Sequence, residues 1–217
     1  MDARKYLAEL VGTFILVVVG SMTIVAAGAM GSPIQVVVPF GFGLGLLAAI
    51  QSAGYVSGGH FNPAVTLGAL LDRRIDLMNA VGYWVAQVIG AIAASATVLL
   101  VANQAAVQST ASGAPAGKLL NAFAVEVLLT AIFLLVILTV TKRAPNHAAF
   151  AIPLTLTVIH FAGIPFSGAS VNPARSLAPA LVGGTLDQTI IVWIAGPLVG
   201  AVLGWAVYRA LEDGSTR

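Results

Sequence analysis

Charge and cysteine are what this sequence has least of. Charged residues make up 8% of its 217 residues and hydrophobic residues 59%, whereas roughly a quarter of the residues in a soluble domain are charged. The composition therefore indicates a protein of the lipid bilayer. The absence of cysteine excludes disulfide bonds and thiolate metal sites. The ten lysine and arginine residues are too few and too scattered for a nucleic-acid-binding surface.

Charge-free runs mark the predicted membrane spans. Residues 10–71 contain no charged side chain, and such a run is long enough for two helices of about 20 residues each. The first part of this run is longer than the apolar region of a signal peptide, so we interpret it as a span. We predict six spans, at Tyr6–Met30, Ile34–Val56, Asn79–Ala102, Leu119–Thr141, Ala148–Gly163 and Gln188–Tyr208.

A short motif occurs twice in this apolar chain. Residues 57–67 read SGGHFNPAVTL and residues 167–177 read SGASVNPARSL, so the two copies start 110 positions apart (167 minus 57). Asparagine is a favoured helix N-cap, and proline fits the first turn because its missing N–H costs nothing there. Each copy therefore predicts a helix start at an Asn-Pro-Ala triplet. The triplets are Asn62, Pro63 and Ala64, and Asn172, Pro173 and Ala174.

The helices that start at these triplets are too short to cross a membrane. The first runs from Asn62 to Leu71 and the second from Asn172 to about Leu181. At 1.5 Å per residue, each is about 15 Å long, which is half of a hydrocarbon core of about 30 Å. We therefore predict two re-entrant half-helices that enter from opposite faces and meet with their N-termini at the midplane.

The number of spans predicts an inverted repeat. Each half of the chain, approximately residues 1–102 and 119–217, has three full spans. Because three is an odd number, the second half enters the membrane from the other side. The predicted fold is one all-α membrane domain with six transmembrane helices and two re-entrant half-helices.

The cationic side chains agree with this topology. They fall on one face of the membrane, except for Lys118 on the other face and Arg175 inside. The positive-inside rule then predicts a multi-pass protein of the cell membrane, plasma or inner, with both termini in the cytoplasm. The residues predicted on the cytoplasmic face are Arg4, Lys5, Arg73, Arg74, Lys142, Arg143, Arg209 and Arg217.

Two spans carry small residues at every fourth position, a pattern typical of closely packed membrane helices. Gly90 and Gly200 are also 110 positions apart (200 minus 90), so we expect the same close helix contact in both halves. The small residues are Ala86, Gly90 and Ala94 in the third span and Gly196, Gly200 and Gly204 in the sixth.

Few ionisable residues lie inside the predicted spans. Glu9 and Glu126 occupy equivalent places in spans one and four. They could form a proton relay, or they could accept hydrogen bonds from the non-helical backbone that leads into each half-helix, and we favour the second interpretation. Arg175 follows the second triplet, where the first copy has Val65. An arginine in a membrane costs about 2.5 to 3.5 kcal/mol, so it should line water or pair with a partner.

The predicted midplane has a definite chemistry. Two facing helix N-termini, each with roughly half a positive charge, favour a neutral molecule with an acceptor oxygen and repel cations. An asparagine amide can cap its helix and still present a donor, because it has two N–H groups as well as a carbonyl oxygen. No nucleophile, base or metal-ligand cluster converges on one place. We therefore expect no catalytic residue, no metal site and no cofactor.

The twin motifs, together with AELVGT at residues 8–13 and the repeated glutamate, resemble the aquaporin family of membrane channels over essentially the whole chain. The resemblance implies a passive water channel that forms a homotetramer with one pore in each subunit. Aquaporin pores select by diameter, hydrogen-bonding groups and half-helix dipoles. The resemblance implies an outer constriction of Phe42, His160, Ala169 and Arg175, and support of the half-helix loops by Glu9, Glu126 and His60.

The residues of this constriction resemble the water-selective branch of the family. Glycerol-conducting relatives carry a small residue in place of His160 and an aspartate in place of Ser176. Ala169 departs from the pattern, because close bacterial water channels more often have a hydroxyl side chain there. Without the resemblance, His160 and Phe42 are each compatible with an ordinary core position.

Other functions stay open at this point. The chain could be a channel for glycerol, ammonia or hydrogen peroxide. Inverted repeats with broken helices also build ion-coupled transporters, and a structural or adhesive membrane protein could contain a closed pore. An enzyme is disfavoured because the sequence has no converging catalytic groups.

Overall fold

The computed structural model describes residues 2–213, and all regular secondary structure in that range is helical. Six helices of the described chain are long and apolar enough to cross a membrane, which confirms the six predicted spans. These helices are α1 (Ala3–Met30), α2 (Ile34–Ala49) with its continuation α3 (Tyr55–Ser57), α5 (Leu77–Val101), α7 (Leu119–Arg143), α8 (Pro145–Ser167) and α10 (Ile191–Asp213).

Two further helices are the predicted half-helices. The helices α4 (Pro63–Leu71) and α9 (Pro173–Val182) each begin at the proline of an Asn-Pro-Ala triplet. They contain 9 and 10 residues, so each spans about 15 Å. The fold of six spans with two re-entrant half-helices is therefore the one that the sequence predicted.

Some boundaries differ from the prediction. The fifth span was predicted at Ala148–Gly163, but α8 starts earlier, at Pro145, and continues to Ser167. Proline is favoured at a first helical position, and α8 ends where Gly168 adopts a left-handed φ of 76°. The connection at residues 103–117 contains a short helix, α6 (Gln104–Ser109), which the sequence analysis did not predict.

The two halves repeat the same contacts. The helix α1 packs on α5, α7 packs on α10 in the same way, and α2 packs on α8 between the halves. A Cβ atom added at Gly90 would lie 2.3 Å from the carbonyl oxygen of Leu10, and one at Gly200 would lie 2.5 Å from that of Val127. The predicted close packing at both glycines is therefore confirmed.

One end of the bundle gathers charge. The Nε atom of Arg74 lies 2.7 Å from a carboxylate oxygen of Asp72, and Arg209 lies 4.0 Å from the other oxygen. Glu212 pairs with Arg143 at 2.7 Å and also with Lys142. The loop after α4 and the ends of α7 and α10 thus meet at one face, as the inverted repeat requires.

Lys118 lies at the other end of the bundle, as the sequence predicted. Lys118 precedes α7 and therefore lies at the opposite end of that span from Arg143. Arg217 was also predicted at the charged face, but it lies outside the described residues. The outward surfaces of the spans are apolar, with Leu7 exposed by 60% and Leu100 by 85%, as expected for helices embedded in a lipid bilayer.

The glycine contacts generate a stability prediction. Gly200→Ala places a methyl group against a backbone carbonyl that cannot move away without shifting α7. We expect a loss of about 1 to 3 kcal/mol, the usual cost of an overpacked core, measured by thermal unfolding in detergent. Gly28→Ala is the matched control, because a Cβ atom there meets nothing within 4 Å. Equal unfolding temperatures for the two variants would contradict the prediction.

Candidate functional site

A cavity of about 260 Å³ passes between the two halves. At the charged face it is lined by Arg74 and Thr141, and further in by Asn62 and Asn172. Its far end is lined by Phe42, His160 and Arg175. The cavity therefore connects the charged face with the N-termini of both half-helices and continues to the predicted constriction.

Each triplet asparagine caps its own half-helix. The side-chain oxygen of Asn62 accepts a hydrogen bond from the backbone N–H of Ala64 at 2.8 Å. The side-chain oxygen of Asn172 accepts from the N–H groups of Ala174 at 3.1 Å and Arg175 at 3.3 Å. The capping that the sequence predicted is confirmed.

The same asparagines also join the two halves. The Nδ2 group of Asn62 donates to the carbonyl oxygen of Val171 at 2.7 Å, and that of Asn172 donates to the carbonyl oxygen of Phe61 at 3.0 Å. Sequence reasoning did not find these bonds, because they require the two loops to meet. Each amide has two N–H groups, so one N–H of each asparagine is left for the cavity.

The loops before the half-helices have strained backbones. Phe61, Ala169 and Val171 adopt positive φ angles of 49°, 48° and 46°. Such angles are uncommon for residues other than glycine and persist only where the surroundings enforce them. The two buried glutamates, Glu9 and Glu126, accept hydrogen bonds from the backbone of these loops.

Glu9 and Glu126 are completely buried beside the two loops. Glu9 accepts hydrogen bonds from the backbone N–H groups of His60 at 2.9 Å and Phe61 at 2.7 Å. Glu126 accepts from those of Ser170 at 2.8 Å and Val171 at 2.7 Å. The hydroxyl groups of Ser57 and Ser167 donate to the same carboxylates.

Two aromatic residues complete this support. The hydroxyl group of Tyr83 donates to the carbonyl oxygen of Ser57 at 2.7 Å, and the indole N–H of Trp193 donates to that of Ser167 at 2.8 Å. The two aromatic residues are 110 positions apart (193 minus 83). The repeat distance is thus the signal in the sequence that relates them, although neither was predicted as a site residue.

His60 lies beside the first triplet and lines the cavity. Its Nδ1 atom is 3.1 Å from the hydroxyl oxygen of Thr66, and the centroids of its ring and the Tyr83 ring are 5.2 Å apart in an edge-to-face arrangement. Gln87 connects this group to Glu9, because its Nε2 atom donates to both Glu9 and Thr66. Gln87 is a further residue of the site that the sequence analysis did not single out.

Three of the four predicted constriction residues come together. The rings of Phe42 and His160 stack with centroids 4.7 Å apart, and the guanidinium of Arg175 lies 5.0 Å from the centroid of the Phe42 ring. All three line the cavity. The fourth, Ala169, is fully buried and is not among the residues that line it.

The hydrogen bond of His160 determines which of its ring nitrogens is a donor and which is an acceptor. Its Nδ1 atom lies 2.9 Å from the carbonyl oxygen of Leu156. Since a carbonyl group can only accept, Nδ1 carries a proton, and in the neutral ring Nε2 is an acceptor. Among residues 2–213, the buried Nε2 atom has no hydrogen-bond partner. The neutral imidazole therefore presents an acceptor, and Arg175 presents donors.

Comparisons with known proteins agree with this architecture. The family model described as major intrinsic protein matches residues 1–208. The chain is 40% identical to Aquaporin Z of Rhodopseudomonas palustris over 100% of this chain and 96% of that protein. It is 42% identical to glycerol uptake facilitator protein-like 6 of Lactiplantibacillus plantarum over 92% of this chain and 94% of that protein.

A solved structure supports the same assignment. The X-ray structure of the aquaglyceroporin from Plasmodium falciparum superposes with a TM-score of 0.84 at 25% identity. It covers 98% of this chain, which covers 96% of that one. Proteins of this family are channels and not enzymes. The chain therefore belongs to the major intrinsic protein family, the aquaporin family of membrane channels.

Proposed function

We propose that this protein is a passive water channel. The observation that carries the proposal is the stacked Phe42 and His160 pair, which faces Arg175 at one end of the cavity. Two bulky rings leave a narrow opening, while an acceptor and several donors offer replacements for the hydrogen bonds of water. The likeness to a protein named Aquaporin Z supports the same function.

The electrostatics and the hydrogen-bond donors at the midplane favour the passage of neutral molecules. The N-termini of α4 and α9 meet there, and each carries roughly half a positive charge. Within the described residues, Asn62 and Asn172 each keep one amide N–H beyond the one that donates to the opposite loop. A water molecule can accept these hydrogen bonds, whereas a cation is repelled by both helix dipoles.

Exclusion at the constriction is both steric and electrostatic. The rings of Phe42 and His160 limit the size of a solute. Arg175 adds a fixed charge in surroundings of low dielectric constant, where two unit charges 4 Å apart interact by about 4 kcal/mol at an effective dielectric constant of about 20. Hydronium and metal cations meet this barrier in addition to the one at the midplane.

We assign Glu9 and Glu126 to support of the half-helix loops, together with His60. Each carboxylate is surrounded by hydrogen-bond donors of one loop, and these donors stabilise the carboxylate as an acceptor. The cross-half bonds of Asn62 and Asn172 also disfavour an ion-coupled transporter. Alternating access requires one repeat to move against the other, and these bonds lie between the repeats.

A channel for small polyols is the second candidate. The relative named as a glycerol uptake facilitator-like protein is 42% identical, and the structural neighbour is an aquaglyceroporin. Ala169 lies where close bacterial water channels more often have a hydroxyl side chain. Stopped-flow light scattering on proteoliposomes, with water and glycerol in parallel, separates the two candidates.

We also propose the assembly and orientation. The chain acts as a single channel domain of two halves, residues 1–102 and 119–217, and forms a homotetramer with one pore in each subunit. The cationic cluster of Arg74, Arg143 and Arg209 faces the cytoplasm by the positive-inside rule. Both termini are then cytoplasmic, and the membrane is the plasma or inner membrane.

The first prediction concerns size selection. His160→Gly removes the imidazole from the constriction and widens it by several heavy atoms. We expect glycerol permeability to rise on the order of tenfold, since one pocket contact of this size discriminates by roughly that factor or more, while water permeability is kept. If this variant, assembled as the parent, excludes glycerol equally well, His160 is a core histidine and the constriction is assigned wrongly.

The second prediction concerns charge. Arg175→Val introduces the residue found at the equivalent position of the first half, Val65, and removes the fixed charge of the constriction. We expect a proton or cation leak, measured with a pH-sensitive dye in proteoliposomes under an imposed potential. His160→Gly is the matched control, because it opens the same constriction without removing the charge. An equal leak in both variants would contradict an electrostatic role for Arg175.

The third prediction concerns the buried glutamates. Both carboxylate oxygens of Glu126 accept hydrogen bonds, so the NH₂ group of a glutamine would oppose a backbone donor. Glu126→Gln should therefore lose about 1 to 3 kcal/mol of stability. Water flux per folded channel should persist and stay flat with pH. A selective loss of flux in correctly folded protein would instead support the proton-relay interpretation.

A further inference from the structure

The guanidinium of Arg175 is held by a chain of three hydroxyl groups. Its Nη1 atom donates to the Oγ atom of Ser112 at 2.5 Å, and this Oγ lies 2.6 Å from that of Ser176. The hydroxyl of Ser176 donates to Ser170 at 2.5 Å, and that of Ser170 donates to the carbonyl oxygen of Asn172 at 2.9 Å. This series of hydrogen bonds ends at Asn172, the residue that caps α9.

The direction of this chain follows from counting protons. Each hydroxyl group has a single proton to donate. The hydroxyl group of Ser170 donates its proton to the carbonyl oxygen of Asn172, and that of Ser176 donates to Ser170. The bond between Ser112 and Ser176 must therefore be donated by Ser112. Ser112 therefore turns its lone pairs to the guanidinium, as a cationic donor requires. Aligned hydrogen bonds of this kind polarise and strengthen one another.

Ser112 is placed by its own segment of chain. It lies in the connection that follows α6, 63 positions from Arg175. Two side chains of α6 fasten this connection to the end of α9, because Gln104 and Gln108 donate to the carbonyl oxygen of Gly183 at 2.7 Å and 3.0 Å. The hydroxyl of Ser112 is thus fixed relative to both ends of the second half-helix.

Arg175 needs such a partner. It is exposed by only 5%, and its Nε atom has no hydrogen-bond partner in the part of the chain that the structure describes. Its side chain can rotate about several bonds, and the contact of its guanidinium with the Phe42 ring, 5.0 Å from the ring centroid, does not determine where the N–H groups point. The hydrogen bond to Ser112 determines this direction and draws one end of the guanidinium to the wall of the cavity.

We propose that Ser112 is a positioning residue for selectivity, which acts through Arg175 and keeps the guanidinium against the wall so that water can pass. The inference rests on the proposed water channel. The connection between α6 and α7 then takes part in permeation, although the Asn-Pro-Ala motifs lie elsewhere. Without the hydroxyl, the guanidinium moves into the opening for part of the time and obstructs it.

The test is water flux through Ser112→Ala in proteoliposomes at several temperatures. We expect the permeability per channel to fall by about tenfold, the factor that corresponds to loss of one hydrogen bond to a charged group, with a higher activation energy. Ser112→Thr keeps the hydroxyl and should restore both values. Ser109→Ala is the matched control, since this serine lies in the preceding helix α6 and its hydroxyl group donates to the carbonyl of Ala106 in the same helix.

Two outcomes separate the inference from the function on which it rests. If the parent protein does not conduct water, the proposed function is wrong. If the parent conducts water and Ser112→Ala shows the same permeability and activation energy, the inference is overturned.

Should Ser112→Ala fail to fold, Ser176→Ala interrupts the same series of hydrogen bonds without changing the connection between α6 and α7. It should lower the permeability less, but in the same direction, and an unchanged value overturns the inference equally.

Discussion

The whole architecture depends on satisfying the non-helical backbone of two loops inside a membrane. Lipid offers no hydrogen bonds, so each exposed N–H group in the interior needs a protein partner. One buried carboxylate provides the partners for each loop, through the bonds of Glu9 to His60 and Phe61 and those of Glu126 to Ser170 and Val171. With the loops satisfied, two helices can start at the midplane, and a polar path can exist between apolar spans.

The same loops also hold the two halves together. The side chains of Asn62 and Asn172 each bond to a carbonyl oxygen of the opposite loop. The midplane therefore combines three roles in a few residues, since it caps both half-helices, joins the repeats and presents donors to the cavity. The stacked rings of Phe42 and His160, to which we assign the selection by size, are not part of this site, so the size of the opening can change without altering the midplane.

Much of this could be predicted from the sequence. Charge-free runs gave the six spans because a bilayer requires about 20 apolar residues for each crossing. The repeated triplet located both half-helices, because asparagine and proline are local signals that act within one turn. Span ends were less accurate. The helix α8 continues beyond the predicted end at Gly163, through Pro165 to Ser167, because a proline near the end of a helix does not by itself stop it.

The sequence by itself determined the topology, the equivalence of Glu9 and Glu126, and the two helix starts, since all of these follow from composition, spacing and local backbone preference. Only the tertiary structure decided which side chains meet. The stacking of His160 on Phe42 joins two different spans, the acceptor on His160 depends on the carbonyl of Leu156, and Ser112 reaches Arg175 from a separate connection. Such contacts depend on packing between distant segments, and no local pattern in the chain records them.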